Sequence, residues 1–235
     1  MKFIIWARRT PMVRLLASFF IVAAAALAPL AAHGQYLHPK ISGKQTVIHN
    51  VVVLPAKVDI VRTSLKGPEG MAAESEELSS RVEKTIAEVL AGQKKITTLA
   101  SPAASSDGGS KTKYAVADIQ TKFDDLLPKV MKKPKDIEKG RFTLGDEILN
   151  LNLDKSADAI IFLRGQGQKI SSGKAAMNIL VGGMPAYLKM QITVVDAHTG
   201  DVLLFTDQAF AGDPTAENDH IRRAIERGLK KLTSP

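Results

Sequence analysis

Two short runs constrain this chain most: "NVVVL" at residues 50–54 and "AIIFL" at residues 159–163. In both, β-branched and apolar side chains follow one another without a polar break. Successive side chains of a strand point to opposite faces, so these runs predict strands with cover above and below. The first, read as "TVIHNVVVL" from Thr46 to Leu54, is stopped by Pro55. The second sits within "ADAIIFLRGQG", read as one strand buried on both faces.

Helical periodicity supplies the rest of the frame. Leu78, Val82, Ile86, Val89 and Leu90 fall on one face of a helix from Glu74 to Leu90, with acids at its start and Gly92 after its end. Val116, Ile119, Phe123 and Leu126 mark a helix from Tyr114 to Leu127, which Pro128 is expected to kink or end. Leu144, Ile148 and Leu151 predict a short helix over Thr143 to Leu153 with Thr143 as its cap and Asp146 three positions on. "DPTAENDHIRRAIERGLKKL" reads as a terminal helix, acids first and bases last. "KKITTLA" is a short strand, and "RTSLKGPEG" is a loop by its Gly and Pro content. "SPAASSDGGSK", within residues 101–112, is low in bulk and predicts a flexible loop inside the domain. The basic run "KVMKKPKDIEKGR" reads as a solvated surface, with a specific anionic or membrane partner as the competing reading. The order strand, helix, strand, helix, helix, strand, hairpin, helix gives an α/β (α+β) fold, a mixed β-sheet with flanking helices, as a single domain over residues 46–233.

Ahead of it, Lys2, Arg8, Arg9 and Arg14 precede an apolar stretch from Leu15 to Ala28 and the small residues before Gln35, the order of a signal peptide over residues 1–34. Its apolar core is short for a permanent span, and Met12 is an alternative start to Met1. Residues 35–45 are expected to form an exposed amino-terminal segment. The leader holds four of the 32 basic residues and none of the 24 acidic ones, so cleavage leaves 28 against 24, a net charge of +4. Cysteine is absent. That excludes disulfides, thiolate metal sites, a cysteine nucleophile and a lipoprotein anchor on a lipobox cysteine.

The sequence offers little catalytic chemistry. "VVDAHTGDVLLF" gathers Asp196, His198 and Asp201, yet the alternation of Leu188, Met190, Ile192 and Val194 before it and the apolar run after it make it the turn of a hairpin. Asp196, Thr199, Gly200 and Asp201 then have structural roles, Gly200 by adopting φ > 0. "GQGQKISSGKAA" fails as a phosphate loop, because five residues separate Gly167 from Gly173 and Ala175 follows Lys174. His38, His49, His198 and His220 are scattered singly, and the basic residues lack interleaved aromatics, so neither a metal nor nucleic acid is expected. "GKAAMNILVGGMPAY" places Met177, Ile179, Leu180, Val181 and Met184 in a connection between strands. Those five residues are candidate partner contacts, with burial over the sheet as the competing reading. "RTSLKGPEG" is a second candidate contact surface.

"VVVLPAKVD", "LDKSADAIIFLRGQG" and "ITVVDAHTGDVLLFTDQAF" together resemble the envelope proteins related to the TolB amino-terminal domain, the curli-secretion lipoprotein CsgG and the penicillin-binding-protein activator LpoB. The shared features are an Asp-x-x-Thr-Gly-[Asp/Glu]-Val hairpin, here Asp196, Thr199, Gly200, Asp201 and Val202, and an Ala-Asp pair ahead of a strand, here Ala157-Asp158. The resemblance implies a mixed sheet flanked by helices and a non-enzymatic role in envelope assembly, transport or regulation through protein contacts. The expectation is an exported periplasmic protein without cofactor, binding envelope proteins or itself, with membrane contact possible but not favoured. A membrane-associated oligomer of a secretion apparatus and a periplasmic hydrolase or small-ligand-binding protein are the alternatives.

Overall fold

The structure is a computed structural model and describes residues 34–93, 95–102, 110–173, 185–216 and 219–233. Its centre is a mixed eight-stranded sheet: β1 (Gly34–Leu37), β2 (Asn50–Val53), β3 (Lys57–Ser64), β4 (Gly67–Gly70), β5 (Thr97–Leu99), β6 (Ala159–Ile170), β7 (Tyr187–Asp196) and β8 (Val202–Ala211). The order across the sheet is β1-β8-β7-β6-β2-β5, with β3 beside β6 and β4 beside β3. The hairpin β7–β8 and the β6–β7 pair are antiparallel, while β2 and β3 run parallel to β6. One helical turn, α1 (Pro39–Ser42), follows β1, and three longer helices, α2 (Ala72–Ala91), α3 (Ser110–Lys132) and α4 (His220–Thr233), cover the sheet.

The apolar runs divide between two cores as strand geometry requires. Val51, Ile161 and Leu163 join Leu78, Val82, Ile86, Ile221 and Ile225 on the face covered by α2 and α4. Val52, Ile160 and Phe162 join Ile119, Phe123, Val130, Ile148 and Leu151 on the face covered by α3 and the residues after it. Phe123 stacks on Phe162 at 4.4 Å between ring centroids. The result is an α+β fold in one domain, helices on both faces of one sheet.

Pro55 interrupts what is otherwise one long track beside β6: β2 pairs with Ala159–Ile161, and β3 resumes at Lys57 opposite Arg164. Along its first half, β3 has no strand on its outer side among the described residues, and α2 takes that place. Ala56 N donates to Glu83 Oε1 (2.6 Å), Val58 N to Ser79 Oγ (3.0 Å) and Ile60 N to Ser75 Oγ (2.9 Å). Four helical residues rise about 6 Å and two strand residues about 6.6 Å, so side chains four apart on a helix can serve alternate amides of a strand. The pairing seals an edge that would otherwise invite another chain.

Several expectations need correction. Residues 35–45 are not simply exposed, because β1 pairs antiparallel with β8 and His38 is buried. "RTSLKGPEG" is no loop: it supplies the end of β3 and all of β4, with Gly67 at φ 118° where the hairpin turns. The helix α3 begins at Ser110, inside the segment expected to be a loop, and passes through Pro128 to Lys132. Pro128 is exposed, so it costs one backbone bond, and buried Val130 holds the last turn against the core. The predicted helix over 143–153 is instead a 3-10 turn at Asp146–Leu151. Thr143 is bridged to Asp201 rather than capping a helix, and its Oγ1 accepts from Gly145 N at 2.9 Å. Finally, β6 continues past Gly167 to Ile170, and its second half is not buried on both faces, because Gln166 is exposed. A Cβ on Gly165 would stand 2.9 Å from Val58, and one on Gly167 would stand 3.0 Å from Pro214, so these glycines permit close packing of the sheet.

Candidate functional site

The β7–β8 turn is built from its own side chains. Asp196 Oδ1 accepts from His198 N (2.9 Å) and Thr199 N (3.0 Å), and Asp201 N donates to Thr199 Oγ1 (3.4 Å). Gly200 takes φ 72°, and its Cα faces the backbone of Gly145, where a Cβ would stand 2.5 Å from Gly145 O. Leu144 N donates to Gly200 O and Val202 N to Phe142 O, both at 2.9 Å, so residues 142–145 are strapped across the turn.

The other sequence motif lies next to it. Ala197 N donates to Asp158 O (3.0 Å), while Asp158 Oδ2 accepts from His49 N and Asn50 N, both at 2.8 Å. One carboxylate thereby joins the starts of the parallel strands β2 and β6, and Ala157, fully buried, leaves room for it. Both stretches belong to one end of the sheet.

The amino-terminal segment closes this end. Lys40 Nζ reaches Asp201 Oδ2 at 2.7 Å and Asp196 Oδ2 at 3.7 Å. The hydrogen bond to Asp201 holds the Lys40 ammonium above its ordinary pKa. Burial pushes the Asp201 carboxyl up, but the bonds from Lys40 and Thr199 outweigh it and leave the group below the usual carboxylate range. His38 Nδ1 accepts from Lys40 N (3.1 Å), and the imidazole packs against Gly140. Burial of that imidazole lowers its pKa, against the opposing charge of Asp201.

His198 is exposed and lies with Asp154 along a cleft of about 380 Å³ whose walls include Ile148, Leu153 and Ala197. Among the described residues no hydrogen bond joins His198 to Asp154. The Ser156 hydroxyl donates to Asp154 Oδ1 (2.7 Å), as does Ser156 N (2.8 Å). These bonds hold the Asp154 carboxyl below its usual pKa and describe a turn, whereas an activated nucleophile would bond to the base. Among the described residues, no group of three or more His, Cys, Asp or Glu side chains is placed to hold a metal ion.

A second polar cluster was not anticipated. Where α3 passes over β6, Arg164 is 6% exposed and its Nε donates to Asp124 Oδ1 at 2.5 Å. Its Nη2 reaches Gln120 Oε1 (3.2 Å), and the guanidinium lies 5.2 Å from the Phe123 ring centroid. Lys57, Asp59, Gln166 and Gln191 continue the cluster along a groove of about 420 Å³ bounded by Leu127, Pro128 and Met131. A charged residue in the middle of a buried strand was the signal that could have marked it. Arg164 ties α3 to the sheet, with most of its donors satisfied within the chain. The candidate contact residues Met177, Ile179, Leu180, Val181 and Met184 lie outside the described residues. Of the second candidate surface, Leu65 and Lys66 at the β3–β4 turn are exposed.

No protein-family model matches the chain, and no curated protein matches it. Among solved structures, the chain is similar to the PelC dodecamer from Paraburkholderia phytofirmans, at 11% identity and a TM-score of 0.42, covering 87% of this chain and 98% of that one. It is also similar to lipoprotein GNA1162 from Neisseria meningitidis, at 9% identity and a TM-score of 0.35, covering 77% of this chain and 93% of that one.

Proposed function

We propose that this chain is an exported protein of the cell envelope that acts through protein–protein contacts, with other envelope proteins or with itself, in assembly, transport or regulation, and that it performs no catalysis. The reading places it with the TolB amino-terminal-domain, CsgG and LpoB type of envelope protein and in the periplasm. One observation carries it. The residues with the strongest claim to chemistry, Asp196 and Asp201, spend their oxygens on the β7–β8 turn and on Lys40, and among the described residues no base or nucleophile is bonded to His198. Catalysis needs such groups to converge. The leader-like first 34 residues and the absence of cysteine support export without a lipid anchor on cysteine. Among the described residues, no helix is long and apolar enough to cross a membrane.

Cross-linking of intact cells of the source organism, followed by capture of the tagged chain, tests the proposal. It predicts recovery of defined envelope proteins or of a discrete homo-oligomer. Recovery of uncross-linked monomer alone would overturn it.

A further inference from the structure

The strand β1 is the outermost strand beside β8, and the chain is unusually basic on both of its sides. On one face of the sheet, the end of α3 and the 3-10 turn at Pro134–Lys139 carry exposed Lys129, Lys132, Lys133, Lys135, Lys139 and Arg141. This stretch lies against β1, where Gly140 meets the His38 ring. On the other face, the last turns of α4 carry exposed Arg227, Lys230 and Lys231, and they are tied to β1 by Gln35 Nε2 donating to Gly228 O at 2.9 Å.

Residues 129–141 and 226–231 together hold nine cations and three carboxylates, Asp136, Glu138 and Glu226, for a net charge of +6. The whole chain after the leader is only +4, so the rest of it is net negative. The cations have been gathered at one edge, from two stretches 85 residues apart in sequence. Helix-end lysines favour the helix dipole, which accounts for Lys132 and Lys231 locally. It does not account for lysines beyond the helix in the 3-10 turn, nor for two such groups meeting at one strand.

We infer that this basic rim around β1 docks the folded chain onto a bilayer surface rich in anionic phospholipid headgroups. One observation favours a bilayer over a soluble polyanion: the rim surrounds the strand that follows the apolar leader directly in sequence. The inference rests on the proposed export only for its choice of lipid.

The test uses the chain from Gly34 onward, which contains every strand and helix described. Co-sedimentation is measured with vesicles of phosphatidylglycerol mixed with phosphatidylethanolamine, and with phosphatidylcholine vesicles alone. The expected result is binding to the anionic vesicles only, weakening as salt shortens the screening length below about 10 Å. Lys132→Glu with Lys133→Glu, and separately Arg227→Glu with Lys231→Glu, should each lower the partition more than tenfold, since each basic residue near an anionic bilayer changes it about fivefold. Lys84→Glu, an exposed change on α2, should leave it within about twofold. Thermal melts of each variant identify any that fails to fold. Equal binding to both vesicle types, or partition unmoved by the two reversals in folded protein, would overturn the inference. Retention on heparin without vesicle binding would overturn it too and reassign the rim to an anionic polymer. Either result leaves the cell cross-linking outcome free to stand or fall independently.

Discussion

The two halves of β6 are one strand under two regimes. Ala159 to Ile161 pair with β2, and from Ala159 to Leu163 both faces are covered, so every side chain is apolar and buried. From Arg164 onward the strand pairs with β3. Its inner positions become Gly165 and Gly167, where Val58, Ile60 and Pro214 press close. Its outer positions become Arg164, Gln166 and Gln168, at and beyond the edge of α3. A continuous apolar run thus changes to an alternating one where a covering helix ends. The contrast teaches where this molecule carries its stability and where it is free to present polar surface.

The largest effect should separate the halves directly. Phe162→Ala empties a site stacked on Phe123 and should cost about 3–5 kcal/mol in urea unfolding. Gln166→Ala, on the same face four residues later, should stay within about 0.5 kcal/mol. Comparable costs at the two positions would erase the distinction. A smaller effect tests the inner face of the second half. Gly165→Ala brings a Cβ against Val58 and should cost about 1–3 kcal/mol, which denaturant midpoints would register.

The next prediction concerns how the second half is closed at its side. If α2 replaces a strand along β3, Ser79→Ala should strand the Val58 amide and cost about 1–3 kcal/mol, with faster hydrogen exchange at Val58. The exposed neighbour Ser80 should tolerate alanine without either change. The smallest effect lies at the opposite end of the sheet, in the pH response of His38. Burial lowers its folded pKa, so the unfolded chain binds the proton more readily. The neutral imidazole's contribution is complete above the unfolded value of about 6.5 and is lost as pH falls through the folded value. Melting temperature should therefore drop between pH 7.5 and pH 5.5 by more in the native chain than in His38→Asn. An identical drop in both would remove His38 from the account.

Much of the first half of β6 was legible, because "AIIFL" states its double burial without reference to any other part of the chain. The second half was not separated from it, since "RGQG" reads with the same burial on both faces, and the point where the cover of α3 ends is set by residues distant in sequence. Arg164 carried a readable signal, but its partners Asp124 and Gln120 lie 40 and 44 residues away. Strands β1, β3 and β4 were missed for related reasons. β1 gains its order from β8, and "GPEG" spells a turn although it pairs along β3. At the hairpin, the turn could be read from Gly200 and the flanking alternation. The clasp by Lys40 could not, being 161 residues from Asp201.

The central claim is that the Asp196–Asp201 turn holds the fold while the chain works through contacts elsewhere. Cells expressing tagged His198→Ala in place of the native chain, cross-linked and captured beside cells with the native protein, test it most directly. The account predicts the same cross-linked species in the same amounts. Loss of those species by a variant that melts at the native temperature would show that the turn is itself the working site.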